Sequence, residues 1–114
     1  MREIKFRAFD SISKKLHTWD VISMMTLPQF IHLEHYTLEQ FTGLQDKNGV
    51  DIYEGDIIYS SQHKPSKMQV KFIEGGFCMD WGDSNYPIDI NHFYDSTGVK
   101  IEIIGNIHEN KDLL

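Results

Sequence analysis

Thr42-Gly-Leu-Gln-Asp-Lys-Asn-Gly-Val-Asp-Ile-Tyr-Glu-Gly-Asp-Ile-Ile58 is a stretch that carries two turn signals and the start of a strand. Asn48-Gly49 is a dipeptide typical of tight turns, because both residues tolerate positive φ. Glu54-Gly55-Asp56 then interrupts the chain just before the apolar run Ile57-Ile58-Tyr59. The stretch therefore predicts the entry into a small β domain, and its pattern indicates no particular reaction.

The glycine and polar residues of this stretch are interpreted as a structural turn motif. Glycine suits positions that need positive φ or a close approach of the backbone, and Asp or Asn side chains bond the backbone of their own turn. Asp56 is expected to cap the preceding turn or a nearby amide. The alternative is a ligand or partner surface built on the same loop, since loops on a rigid scaffold often carry function. The motif comprises Gly43, Asp46, Asn48, Gly49, Gly55 and Asp56.

The patterns on either side of this stretch predict a mostly β protein with one short helix. Alternation at Ile4, Phe6 and Ala8 and a return strand over 16–22 predict an N-terminal β-hairpin. Residues 24–35 are left unassigned. Short strands separated by hairpin turns within 43–107 are typical of a small SH3-like antiparallel barrel or roll, with the short helix expected at Ile88–Tyr94. We therefore predict a β extension with an irregular or short helical segment over 1–42, and an SH3-like barrel domain with a C-terminal tail over 43–114.

Composition limits the compartment and the partners. The chain of 114 residues has one cysteine, Cys78, which allows no intrachain disulfide and fits a reducing cytoplasm. No apolar run approaches the roughly 20 residues of a membrane helix, and the N-terminus lacks the apolar core of a signal peptide. We therefore expect a cytoplasmic protein that does not enter the membrane.

The charge is unevenly distributed along the chain. Residues 1–42 carry five basic and five acidic side chains, so the whole net charge of −6 lies in residues 43–114. Nucleic-acid binding depends on Lys and Arg neutralising phosphates, so the acidic part opposes it. A nucleic-acid function would therefore need the basic N-terminal hairpin, whose cationic residues are Arg2, Lys5, Arg7, Lys14 and Lys15.

Three segments, in the same order along the chain, resemble the YopX family of phage and prophage proteins. They are Ile4-Lys-Phe-Arg-Ala-Phe-Asp10, Phe41-Thr-Gly-Leu-Gln-Asp-Lys-Asn-Gly49 with Ile52-Tyr-Glu-Gly-Asp-Ile57, and Ile104-Gly-Asn-Ile-His-Glu-Asn110. Phe9, His108 and Lys111 depart from residues common in the family, at a scale that affects packing only. The resemblance implies a β extension followed by an SH3-like barrel in a phage or prophage accessory protein. It implies no biochemical activity and no catalytic residues.

Two sets of residues that contain histidine are candidates for a metal-binding or acid–base site. His32 and His35, or Asp89, His92 and Asp95 on a helix, are conceivable metal or acid–base groups, but one cysteine is too few for the common structural zinc sites. The other interpretation, surface histidines and the solvated face of an amphipathic helix, is the simpler one. Cys78 lies in a strand pattern without a neighbour that would activate it. We predict no catalytic, cofactor-binding or metal-binding residue, and therefore no enzyme.

Aromatic residues indicate an interface. Trp and Tyr are enriched where a large amphipathic side chain meets a partly polar partner. The candidate interface residues are Ile4, Phe6, Trp19 and Trp81. We expect a non-enzymatic binding module that forms a homo-oligomer and binds a host or phage protein, with nucleic acid as the alternative partner.

Overall fold

The computed structural model describes residues 4–24, 35–61, 66–73, 75–80, 88–90, 94–95, 98–99 and 101–113. Eleven strands, one short α-helix and a C-terminal 3-10 helix occur within these ranges. In chain order they are β1 (Phe6–Asp10), β2 (Lys15–His17), α1 (Trp19–Ile22), β3 (Tyr36–Gln45), β4 (Asp51–Tyr53), β5 (Asp56–Tyr59), β6 (Lys67–Ile73), β7 (Gly76–Asp80), β8 (Ile88–Asp89), β9 (Tyr94–Asp95), β10 (Gly98–Val99), β11 (Glu102–Asn106) and the 3-10 helix Lys111–Leu113.

Two antiparallel sheets and a two-stranded ribbon make up the architecture. The first sheet has the strand order β2-β1-β3-β4 and the second the order β11-β5-β6-β7-β8, while β9 pairs with β10. The second sheet is curled into a half-barrel. The prediction of a mostly β fold with a short helix is therefore confirmed.

The main core lies inside the half-barrel. Alternation along β6 and β7 places Met68, Val70 and Met79 on the inner face, where none of them is exposed to solvent. Burial of such side chains is the chief stabilising contribution to a small domain. The remaining buried members of this core are Ile52, Ile58, Phe77, Ile90 and Ile101.

The helix lies in the N-terminal region and not where the sequence predicted it. Ile88 and Asp89 pair with Met79 and Cys78 as β8, because the edge of β7 takes up these two residues, and Tyr94 begins β9. The predicted helix Ile88–Tyr94 is therefore wrong at both of its ends, and its residues 91–93 lie outside the described residues. The predicted return strand likewise ends at His17, and α1 begins at Trp19 after Thr18, whose extended backbone forms the N-cap. α1 is held by packing, since Ile22 is buried and the Trp19 ring packs on the Phe6 ring, with centroids 6.3 Å apart.

β3 crosses the boundary that the sequence predicts between the domains 1–42 and 43–114. Its first half pairs with β1 over Tyr36–Gln40, and its second half pairs with β4 at Phe41 and Gln45, with a register shift between them. The strand thus runs without a break through residues 42 and 43, where the sequence pattern places the boundary. The only two residues between β4 and β5, Glu54 and Gly55, then connect the first sheet to the second.

Candidate functional site

The turn that follows β3 is organised by one carboxylate. Asp46 is buried, and its Oδ1 accepts hydrogen bonds from the backbone amides of Asn48 at 2.9 Å and Val50 at 3.0 Å. Its Oδ2 accepts a bond from the Ile103 amide at 3.0 Å, which attaches the turn to β11. Both oxygens are therefore engaged with the backbone, and the arrangement fixes the path of the chain.

Four titratable side chains meet where the two sheets join, and we call them the buried ion cluster: Arg7, Glu39, Asp56 and His108. The Arg7 guanidinium lies between two carboxylates, with its Nε 2.9 Å from Glu39 Oε1 and one terminal nitrogen 2.7 Å from Asp56 Oδ1. His108 Nε2 lies 3.0 Å from Glu39 Oε2. The side chains of Glu39 and Asp56 are each only 3% exposed, so the charges of these carboxylates depend on partners within the protein.

Every carboxylate oxygen of the buried ion cluster has a partner. Glu39 uses one oxygen for Arg7 and the other for His108, while Asp56 uses one for Arg7 and the other for the Tyr53 amide at 2.8 Å. Burial raises the pKa of the Asp56 carboxyl above its ordinary value, and the Arg7 charge and the Tyr53 amide act in the opposite direction. A carboxylate whose oxygens are all occupied in this way is suited to holding strands together rather than to moving protons.

Packing around the buried ion cluster fixes its members in place. The His108 ring stacks on Phe9, with centroids 4.0 Å apart and an interplanar angle of 11°. The Arg7 guanidinium lies over the Tyr53 ring at 5.0 Å. Phe9 and His108, which are far apart in the sequence, are thus in direct contact with each other.

Sequence reasoning missed the buried ion cluster. It assigned Arg7 to a basic patch and Asp56 to a turn cap, and it gave no role to Glu39 or to the His108 imidazole. Register is the missing information, because Arg7 lies directly opposite Glu39 in the β1–β3 ladder. The alternating charge and apolar pattern of β1 was the available signal that Arg7 shares a face with Phe9.

A second ion pair joins Lys5 to Asp51 and helps to lower the pKa of the Asp51 carboxyl. Lys5 Nζ is 2.5 Å from Asp51 Oδ2, and Gln45 donates to the other oxygen at 3.0 Å. Burial pushes the pKa of Asp51 upward, but hydrogen bonds from Lys5 and Gln45 and the Lys5 charge outweigh burial and hold it below the ordinary value.

Replacing Lys5 by methionine is expected to raise the pKa of Asp51 and to destabilise the protein by about 0.5 kcal/mol at pH 7. A carboxyl with a lowered pKa in the folded protein contributes stability above its unfolded pKa and loses it as the pH falls through the folded pKa. The cost of Lys5→Met should therefore disappear in strongly acidic solution. Carboxyl NMR titration measures the pKa of Asp51. Urea unfolding at pH 7 and in strongly acidic solution measures the change in stability. The more exposed pair Lys47–Glu102, at 3.4 Å, supplies the control Lys47→Met, which should cost less.

A groove of about 470 Å³ opens beside the N-terminal strands, and we call it the hairpin groove. β1 and the residue before it contribute Arg7 and Lys5 to it. The other lining residues come from β2, α1 and the N-cap residue between them, and from β4 and the residue before it: Leu16, Thr18, Trp19, Asp20, Val50, Asp51 and Tyr53. The groove therefore combines two aromatic rings with apolar side chains and charges of both signs.

A cleft of about 530 Å³ opens at one end of the half-barrel. Its lining includes the backbone of Gly43, Gly75 and Gly76 together with Phe77 and Ile90, and Asp89 is the charged residue among the described lining residues. Among the described lining residues, no set of groups that could perform acid–base chemistry comes together.

The candidate interface residues are distributed over the N-terminal sheet and beyond it. Ile4 is 67% exposed, Phe6 is half-buried and contacts the half-buried Trp19, and Trp81 lies outside the described residues. The Trp19 ring is the member of this set that lines the hairpin groove.

The turn-motif residues lie in three places. Gly43, Gly49 and Gly55 all have positive φ, and Gly43 lines the cleft while Gly55 packs against Glu39. Asp46 and Asn48 form the turn after β3, where the Asn48 side chain also donates to Glu102. Asp56 is the member that belongs to the buried ion cluster.

The histidine sets considered for metal binding are only partly within the described ranges. His35 precedes β3 and Asp89 lies in β8, whereas His32, His92 and the side chain of Asp95 are outside them. Within the described part of the chain, no group of three or more His, Cys, Asp or Glu side chains is arranged to hold a metal ion.

The Cys78 thiol is buried in β7. Burial raises its pKa above the ordinary value, and the nearby carboxylates of Asp80 and Asp89 act in the same direction. Because the thiolate is the reactive form, we expect Cys78 in the folded protein to react with a disulfide reagent at pH 8 at least about tenfold more slowly than in urea. Absorbance of the released thiol measures both rates. Equal rates would contradict a protected thiol.

These observations define a small mostly β protein in which a buried ion cluster joins a four-stranded sheet to a curled five-stranded one. The chain belongs to the YopX family: the family model described as YopX protein matches residues 5–114. No described helix is long and apolar enough to cross a membrane.

Two solved structures resemble the chain over its whole length. Protein EF1440 from Enterococcus faecalis is 28% identical, with a TM-score of 0.68, and the match covers 100% of this chain and 99% of that one. Protein yopX from Bacillus subtilis is 20% identical, with a TM-score of 0.61 and the same coverage, which shows a shared fold. No curated protein matches the chain.

Proposed function

We propose that the chain is a phage or prophage accessory protein of the bacterial cytoplasm that acts by binding a protein partner and not by catalysis. The hairpin groove carries this proposal, because it presents the half-buried rings of Trp19 and Tyr53 at the surface. Aromatic side chains of this kind dominate the energetics of protein interfaces. The oxygens of the buried carboxylates Glu39 and Asp56, in contrast, are all engaged with partners inside the protein.

The charge distribution favours a basic partner over a nucleic acid. Residues 43–114 carry the whole net charge of −6, and complementary charge speeds association and disfavours wrong partners. Lys5 is paired with Asp51, and Arg7 is paired with Glu39 and Asp56. Two of the five basic residues of the N-terminal hairpin are thereby neutralised, which weakens the argument for phosphate binding.

Affinity capture from bacteria that carry the gene tests this function. The tagged full chain should retain one or a few proteins, with recovery unaffected by nuclease and reduced by salt. Leu38→Ala, an exposed substitution on β3, serves as the folded control and should retain the same proteins. Recovery of nucleic acid alone, or the same recovery from an unrelated acidic protein, would contradict the proposal.

We also propose that the chain forms a homo-oligomer through its N-terminal region. The first sheet ends at β2, a three-residue edge strand, and the edge of a sheet can pair with a second copy. Ile4 and Ile12, each 67% exposed, flank this region. Sedimentation equilibrium at high micromolar concentration should give a mass above 13.3 kDa and a smaller average mass for Ile4→Lys. A single species at the monomer mass would refute the proposal.

A further inference from the structure

The walls of the hairpin groove are held in place before any partner arrives. Trp19 rests against Phe6, with ring centroids 6.3 Å apart. Tyr53 is fixed from two sides, by the Phe41 ring at 5.6 Å and by the Arg7 guanidinium at 5.0 Å. Rings that are already ordered lose little conformational entropy when a ligand binds between them.

The charges in the groove leave one carboxylate available. Lys5 is paired with Asp51 at 2.5 Å, and Arg7 is held by the buried ion cluster. Asp20 lies in the first turn of α1 next to Trp19 and is exposed. Its side chain forms no hydrogen bond or ion pair with the part of the chain that the structure describes, so the groove has a local excess of negative charge.

The shape and chemistry of the groove fit an extended peptide. Its volume of about 470 Å³ lies within the roughly 300–1,000 Å³ of typical ligand sites. Aromatic-lined grooves bind polyproline-type segments, which are extended before binding and therefore lose little entropy. Val50, which is 51% exposed, adds apolar surface along the same groove. A cationic side chain next to the apolar residues would satisfy Asp20 and lie close to the Trp19 ring, where cations are also attracted.

We infer that the hairpin groove docks an extended, proline-containing segment of the partner protein, with a lysine or arginine of that segment placed on Asp20. The inference rests on the proposed binding function and specifies its surface and the chemistry of its partner. It assigns Trp19 and Tyr53 to apolar recognition and Asp20 to selection of a positive charge.

A titration with synthetic peptides tests the inference on the full chain. The probes are proline-containing decapeptides in matched series that differ only by lysine, norleucine or glutamate at one position, added to ¹⁵N-labelled protein. The lysine series should shift the Trp19 indole and the Tyr53 amide resonances and bind at least about fivefold more tightly than the norleucine series, as expected for one charge pair at an interface rim.

Two variants separate the groove from the rest of the surface. Asp20→Lys changes an exposed side chain and should weaken binding of the lysine series about tenfold, reversing the preference toward the glutamate series. Trp19→Ala should abolish the shift of the Tyr53 amide resonance that the peptides cause. The exposed control Leu38→Ala should bind within about twofold of the unmodified protein, as surface changes away from an interface do.

Several results would overturn the inference. They are no binding at millimolar peptide, equal binding of the neutral and lysine series, or shifts that map to another surface. Shifts at Trp19 that grow with protein concentration alone would show that a second copy covers the groove. If affinity capture still recovers a partner with both Asp20→Lys and Trp19→Ala, the proposed binding function stands and this surface is wrong.

Discussion

Replacing Arg7 by methionine is expected to destabilise the protein by about 3–5 kcal/mol, because the change leaves buried carboxylates without their counter-ion. Arg7 is the cation shared by Glu39 and Asp56, both nearly inaccessible to solvent. A loss of this size is a large fraction of the roughly 5–15 kcal/mol that stabilises a typical domain. Urea unfolding followed by circular dichroism measures it, and we expect the midpoint to fall sharply.

The matched control is Lys5→Met, which removes a cation two residues earlier in the chain from a more exposed carboxylate. Equal losses for the two variants would contradict a special role for the buried ion cluster. If Arg7→Met does not fold, the triple variant Arg7→Met, Glu39→Gln, Asp56→Asn provides the second test. It should recover much of the stability, since removing all the charges of a buried cluster is far less costly than removing one.

The loss caused by Arg7→Met should shrink as the pH is lowered. Burial already raises the pKa of Asp56, and Arg7 opposes this rise, so the variant should have a still higher folded pKa. A carboxyl that binds its proton more tightly in the folded than in the unfolded protein favours folding on acidification. The difference in unfolding free energy between the two proteins should therefore be smaller at pH 4.5 than at pH 7.

Replacing Gly55 by alanine is expected to cost about 3 kcal/mol, through positive-φ strain and overpacking together. Gly55 has a φ of +90°, and a Cβ at this position would overlap the Glu39 carboxylate. The Gly55 amide donates to the Val70 carbonyl at 2.8 Å and its carbonyl accepts from the Ile107 amide at 3.0 Å, so the backbone has little freedom to move away. Urea unfolding again measures the change.

Gly49→Ala is the matched control for Gly55→Ala. Its φ of +79° is similar, but no atom lies within 4 Å of the added Cβ, so only the backbone strain of about 1–2 kcal/mol remains. The two contributions also separate in a double-mutant cycle. With Glu39→Ala already present, the additional cost of Gly55→Ala should fall to that of Gly49→Ala. An unchanged cost would show that the crowding against Glu39 is not the cause.

The alternation of apolar and polar residues in the sequence was sufficient to predict the strands in which it is regular. In β6, buried Met68 and Val70 alternate with half-buried Gln69 and Lys71, and the sequences of β1 and β7 alternate in the same way although most of their residues are buried. The pattern failed at the two ends of the segment 88–94 and at residues 19–22, where elements of two to four residues fit either period. At that length, pairing with β7 or packing on β1 decides the structure, and a short sequence window contains neither partner.

The candidate sites were less accessible to sequence reasoning than the strands. Trp19 was predicted to be an interface residue because its residue type is enriched at interfaces, but its place beside Tyr53 in the lining of the hairpin groove depends on the fold. Arg7 looked like one of several surface cations, and only its position opposite Glu39 shows that it is buried and neutralised.

The amino-acid sequence by itself determined the mostly β class, the membership of the YopX family and the positions of the tight turns. These depend on residues close together in the chain, where periodicity and glycine conformation act locally. Only the tertiary structure decided that β3 pairs with both β1 and β4 across the predicted domain boundary, that α1 replaces the end of a strand, and that Arg7, Glu39, Asp56 and His108 form one cluster. The cluster depends on strand register between distant segments, since a shift of one residue would turn the strand residues Arg7, Glu39 and Asp56 to the opposite face.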